Sequence, residues 1–171
     1  MKKILLTISL IALGGCTSLD STVTSFNNTV NYINNYSVNF ILRNYEIDKK
    51  VPAFRPDCIY FAQYSPEVSE TFYKELTCFA SNFKKYRNPK SKILINGFVD
   101  LDEKNRGFDT LGKKRANEVR DILIRMGISV DYILVNDLGG KKYFNSNRNI
   151  IEKARNRCVT VQVFSEKIEN N

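Results

Sequence analysis

Between residues 57 and 165 the apolar positions alternate between short runs and helical stripes. Cys58 to Phe61 form a compact apolar run suited to a buried strand. Val68, Phe72, Leu76, Phe79, Phe83 and Tyr86 then recur at steps of three and four, which predicts one face of a helix. Ser65-Pro66-Glu67 reads as its start and Asn88-Pro89 as its stop. In KILINGFV, Ile93 and Ile95 alternate with Leu94 and Asn96, and Gly97 marks a place where the strand runs close to another element. Leu101 to Gly107 reads as a polar loop. Asp109 or Thr110 can cap a second helix along which Leu111, Arg115, Val119, Ile122 and Met126 lie, with Gly127 as its C-terminal glycine. YILVN predicts a third strand, Gly139-Gly140 a turn, and CVTVQVF, after an asparagine-rich stretch, a last strand with Val159, Val161 and Val163 on one face. The order strand, helix, strand, helix, strand, strand predicts an α+β domain: a mixed sheet with two helices packed on one face.

Upstream the pattern changes. Residues 16–56 are rich in Asn, Ser and Thr, and Phe26, Val30, Ile33, Tyr36 and Phe40 keep helical spacing among poor helix formers. This predicts a tether or interaction segment before a domain at 57–165, with a charged tail at 166–171. Residues 1–15 read as an export signal: Lys2 and Lys3, an uncharged run from Ile4 to Leu13, then small residues. That run is too short to cross a bilayer, which takes roughly 20 apolar residues. Leu13-Gly14-Gly15-Cys16 resembles the lipobox of bacterial lipoproteins. The resemblance implies cleavage before Cys16, lipidation of Cys16, and, with Thr17 and Ser18 following, an outer-membrane anchor with the domain facing the periplasm.

The formal charge of +8, with acids and bases intermixed, suits anionic lipid or a polyanionic wall polymer, and export removes most of the case for nucleic acid. The chain has no histidine, and Cys58, Cys78 and Cys158 show no C-x-x-C spacing, so neither a metal site nor a cofactor is expected. Without histidine, or a recognisable carboxylate pair or nucleophile–base set, the chain does not read as an enzyme. Three cysteines beyond Cys16 allow one internal disulfide at most and leave one thiol over.

One acid and one fixed cation bracket the polar loop: Asp100 after the second strand and Arg115 in the second helix. By themselves they are well explained as an ion pair or as caps of the loop. Their setting is more specific. Gly97-Phe98-Val99-Asp100, Leu111-Gly112-Lys113-Lys114-Arg115-Ala116-Asn117-Glu118-Val119, Gly127-Ile128, and Asn156-Arg157 with Val159 together resemble the OmpA-like peptidoglycan-binding domain family, to which peptidoglycan-associated lipoproteins belong. The resemblance runs from about Ile59 to Phe164. It implies the OmpA-like fold, no catalysis, and a non-covalent grip on the diaminopimelate head group of a peptidoglycan stem peptide. Asp100 would take the ammonium and Arg115 the carboxylate, with the amides of Asp109, Thr110 and Leu111 and the side chain of Arg157 adding to the site. A zwitterion does call for an anionic acceptor beside a guanidinium fork. Phe108 and Val99 stand where the family usually has asparagine and threonine, and Cys158 replaces a usual arginine. A second function therefore stays open: a lipoprotein subunit of an envelope-spanning secretion or conjugation complex, with peptidoglycan binding weakened or lost.

Overall fold

The computed structural model describes residues 45–54, 58–140 and 145–166. The described elements are β1 (Tyr45–Ile47), β2 (Ile59–Tyr60), α1 (Glu70–Tyr86), β3 (Lys92–Phe98), α2 (Leu101–Asn105), α3 (Leu111–Arg125), a 3-10 turn (Val130–Tyr132), β4 (Ile133–Gly139), α4 (Ile150–Asn156) and β5 (Cys158–Glu166). The architecture is α+β, as expected. In the five-stranded sheet β3 pairs parallel with β4 and antiparallel with β5. The other edge of β5 is shared: β2 pairs at its start, through Ile59 and Val159, and β1 at its end, through Tyr45 and Glu166.

Alternation along the strands decides the layers. Ile93, Ile95, Val159, Val161 and Val163 meet Leu76, Phe79 and Phe83 of α1 and Ala116, Val119 and Ile122 of α3 in the main core. Burying such side chains is the chief stabilising term, at roughly 1.5–3 kcal/mol each. On the opposite face Asn96 is fully buried yet satisfied, donating to the Thr160 hydroxyl at 3.1 Å and accepting from Asn136 at 3.0 Å. Gly127, at φ +86°, ends α3 as expected. Its amide bonds to the Ile124 carbonyl and the next amide, Ile128, reaches Leu123, a Schellman arrangement with Ile128 buried against the core.

Five expectations are corrected. The domain does not begin at 57: β1 joins the sheet, Val51 and Phe54 lie in the core, and Asp48 accepts from the Ser91 hydroxyl at 3.0 Å. The first long helix starts at Glu70 with Ser69 as its cap, while Ser65 closes a local turn, its hydroxyl accepting from the Glu67 amide at 3.0 Å and its carbonyl from Arg115. The expected loop after Asp100 contains α2, and the asparagine-rich stretch contains α4. The last strand runs past Phe164 to Glu166. The signal at 1–15, Cys16 and the stripe from Phe26 to Phe40 lie outside the described residues.

Candidate functional site

The site is built where α3 crosses β3. A Cβ on Gly97 would come within 1.9 Å of the Gly112 carbonyl oxygen, so the two backbones approach more closely than any side chain permits. That approach sets Arg115, one turn into α3, beside the end of β3. Its guanidinium is fully buried and saturated. Nε donates to the Ser65 carbonyl at 3.0 Å, and Nη1 donates to the Phe98 carbonyl at 3.1 Å and to Glu103 Oε2 at 2.9 Å. Nη2 donates to the Ala62 carbonyl at 3.1 Å and to Glu103 Oε1 at 2.7 Å. These bonds use all five N–H donors that an arginine has. The ring of Phe61 lies 5.2 Å from the guanidinium carbon.

Glu103 is the residue that the sequence reading passed over. Its carboxylate also accepts from the amide of Tyr64 at 2.9 Å and from the amide of Asp100 at 3.2 Å, so both of its oxygens are doubly engaged. Asp100 in turn caps α2, its Oδ1 accepting from the Glu103 amide at 2.8 Å. The two residues form a capping box, and D-x-x-E in Asp100-Leu101-Asp102-Glu103 is the local signal that announces it. The remaining oxygen, Oδ2, accepts from Arg157 Nη1 at 2.8 Å. Asp100 and Arg115 are thus brought to one place, each fully buried, without bonding to each other. Asp100 faces a guanidinium, Arg115 faces a carboxylate, and Glu103 Oε2 bridges the backbone of the first to the side chain of the second.

Arg157 arrives from the end of α4, and two further links tie α4 and the turn before it to α2. Lys153 Nζ pairs with the Asp102 carboxylate at 2.8 Å, and Asn147 accepts from the Leu101 amide at 3.1 Å. Asp109 and Thr110 are exposed, Thr110 makes no side-chain cap, and the Leu111 amide is held by the Phe108 carbonyl. The expected donor set at this helix end is therefore not assembled around Arg115. Over the buried pair stand Tyr64, in the left-handed region at φ 61°, and Phe108, whose rings lie 5.0 Å apart. Cys158 is buried beside Cys58, Phe98 and Leu138, and burial pushes its thiol well above the usual range. Among the described residues no cluster of acids and cysteines could hold a metal ion, and no helix is long and apolar enough to cross a membrane.

This arrangement has structural relatives. The peptidoglycan-associated lipoprotein from Burkholderia pseudomallei matches at 26% identity with a TM-score of 0.58, over 63% of this chain and 89% of that one. The C-terminal domain of Helicobacter pylori MotB matches at 19% identity and a TM-score of 0.58, over 66% and 87%. The cell wall anchor of the T6SS from Pseudomonas aeruginosa matches at 20% and 0.53, over 77% and 94%. The latter two speak to the fold. Comparison with curated protein sequences gives no match. The OmpA family model matches residues 60–157, more than half of the chain, from β2 through the whole Asp100, Glu103, Arg115 and Arg157 network. The chain belongs to the OmpA family.

Proposed function

We propose that this protein is an envelope lipoprotein that binds peptidoglycan non-covalently, with Asp100 and Arg115 as the clamp for the zwitterionic head of a diaminopimelate stem peptide. One observation carries the reading. An acid and a guanidinium fork, at the family's two positions, lie on either side of a single carboxylate, Glu103. The ammonium and carboxylate of one amino-acid carbon need that pairing of acceptor and fork. Similarity to a peptidoglycan-associated lipoprotein points the same way. Cys16 would carry the lipid, and residues 17–44 would span from the outer membrane to the wall-facing domain.

The test is co-sedimentation of the full chain, in detergent, with diaminopimelate-type sacculi. The unmutated chain is expected in the pellet, with binding reduced at least tenfold by Asp100→Asn at unchanged secondary structure. A chain that stays in the supernatant with intact sacculi would remove the wall-binding reading. Cys16→Ser is expected to shift the protein out of the membrane fraction. The second reading, docking within an envelope complex, is favoured by one surface: Tyr60, Ile150 and Ile151 are exposed along a groove of about 450 Å³ also lined by Phe61, Ala154 and Arg155. Charged substitutions at Ile150 and Ile151 that abolish assembly without changing wall binding would support it.

A further inference from the structure

We propose that Glu103 and Arg157 are built-in occupants of the clamp, an internal zwitterion that an amino-acid head group must displace, and that Glu103 determines how tightly such a ligand binds. This rests on the reading of Asp100 and Arg115 as a head-group site.

The charges carry the argument. A zwitterion would bring a cation to Asp100 and an anion to Arg115. In this structure a cation, Arg157, sits on Asp100 at 2.8 Å, and an anion, Glu103, sits on Arg115 through two parallel bonds of 2.7 and 2.9 Å. No donor of Arg115 is left for a ligand while Glu103 stays. The Glu103 carboxylate accepts four hydrogen bonds, from Arg115 twice and from the Tyr64 and Asp100 amides. An incoming carboxylate can accept the same four, so the exchange conserves hydrogen bonds at the fork. What it changes is tethering. Glu103 is held by its own backbone next to the fork, at a high effective concentration, and a free ligand competes against that. The apparent affinity is lowered by the fraction of molecules in which the fork is open.

Both internal occupants belong to or directly follow short elements. Glu103 lies in the five-residue α2, followed by Gly107 at φ +82°, and Arg157 follows α4 directly. Arg157 is the more accessible of the two, with 14% of its side chain exposed, whereas Glu103 is fully enclosed. A ligand therefore meets the cation side first, and the carboxylate exchange is the step that limits affinity. The ligand class follows from the chemistry: a free α-amino-acid head, with ammonium and carboxylate on one carbon, rather than a simple carboxylate or a simple amine.

The experiment titrates meso-diaminopimelate, with acetate as the carboxylate that lacks an ammonium, into the full chain and into its Glu103→Ala and Glu103→Gln variants. Affinity is read by calorimetry and stabilisation by the thermal midpoint. Glu103→Ala is expected to bind diaminopimelate at least tenfold more tightly than the unmutated chain, with its lowered midpoint restored by diaminopimelate and little by acetate. Glu103→Gln, which keeps the volume and removes the charge, is expected to move the same way and decides the matter if the alanine variant does not fold. Variants that bind no more tightly than the unmutated chain overturn the proposal. So does an unmutated chain stabilised as much as the variants. If the unmutated chain sediments with sacculi while the variants gain nothing, only the role of Glu103 falls. If neither sacculi nor diaminopimelate is bound by any of them, the clamp reading falls as well.

Discussion

α2 and α4 begin with the same four-residue code and end in different places. Asp100-Leu101-Asp102-Glu103 and Asn149-Ile150-Ile151-Glu152 each put a capping side chain three residues before a glutamate, and in both the cap accepts from the glutamate amide, at 2.8 and 2.9 Å. At α4 the glutamate side chain stays near the surface, accepting from the Arg148 amide at 2.8 Å and from the Ser146 hydroxyl. At α2 the two acids of the box are completely enclosed, and each has acquired an arginine: Glu103 has Arg115 and Asp100 has Arg157. The surface cap only starts a helix, its glutamate reaching the Arg148 amide. The buried box starts a helix and also holds two charges in an apolar interior, where an unpaired charge is expensive to keep. Depth converts a local signal into the centre of the site.

The sharpest way to break the comparison is to unpair the buried box. Arg115→Ala leaves the Glu103 carboxylate enclosed without its cation and frees the carbonyls of Ala62, Ser65 and Phe98. Removing one member of a buried pair typically costs about 3–5 kcal/mol, so urea unfolding should show a loss of that size. Arg115 is a hub for three segments, and a ligand assay on that variant would report stability as much as recognition. Asp100 is the better probe. Asn caps a helix about as well as Asp, so Asp100→Asn keeps α2 and removes only the charge that faces Arg157. A hydrogen bond between charged groups contributes roughly 1.5–3 kcal/mol, and the loss in denaturant midpoint should correspond to that range.

How much of this was legible follows from range along the chain. The Schellman end at Gly127 and the stripe through Leu76, Phe79 and Phe83 are local patterns, and they are where the sequence places them. Gly97 signalled a close approach, and Gly112 supplies the other half of it. The two capping codes were equally local, but helices of five and seven residues are too short to show a hydrophobic period, so their segments read as loops. β1 has only three residues and owes its existence to the edge of β5. Nothing local says that Glu103 meets Arg115 12 positions on, or that Asp100 meets Arg157 57 positions on. The family pattern named Asp100 and Arg115 as the pair of interest and was silent on Glu103, whose role depends on burial.

The surface cap offers the smaller perturbations. Asn149→Ala removes the acceptor for the Glu152 amide and should cost about 1 kcal/mol, the usual value for a lost cap. That is well below the effect at Asp100, because no buried charge is released. Thermal unfolding of the two single variants and of the double variant measures both terms and their independence.

The smallest expected effect is one of pH. The carboxyl of Glu152 is held below its ordinary value, first by the Ser146 hydroxyl and then by the amide of Arg148, since both bond to the ionised form. A carboxyl whose folded value is depressed stabilises the fold above its unfolded value and loses that contribution as pH falls through the folded one. The loss therefore belongs to the acidic side, from the ordinary glutamate range downward, and is absent at neutral pH. An NMR titration of the Glu152 carboxyl should give a midpoint below that of a model glutamate, and Ser146→Ala should move it back toward the model. A midpoint unchanged by Ser146→Ala would mean that the Arg148 amide alone holds this carboxylate, and the contrast with α2 would then rest on the buried arginines.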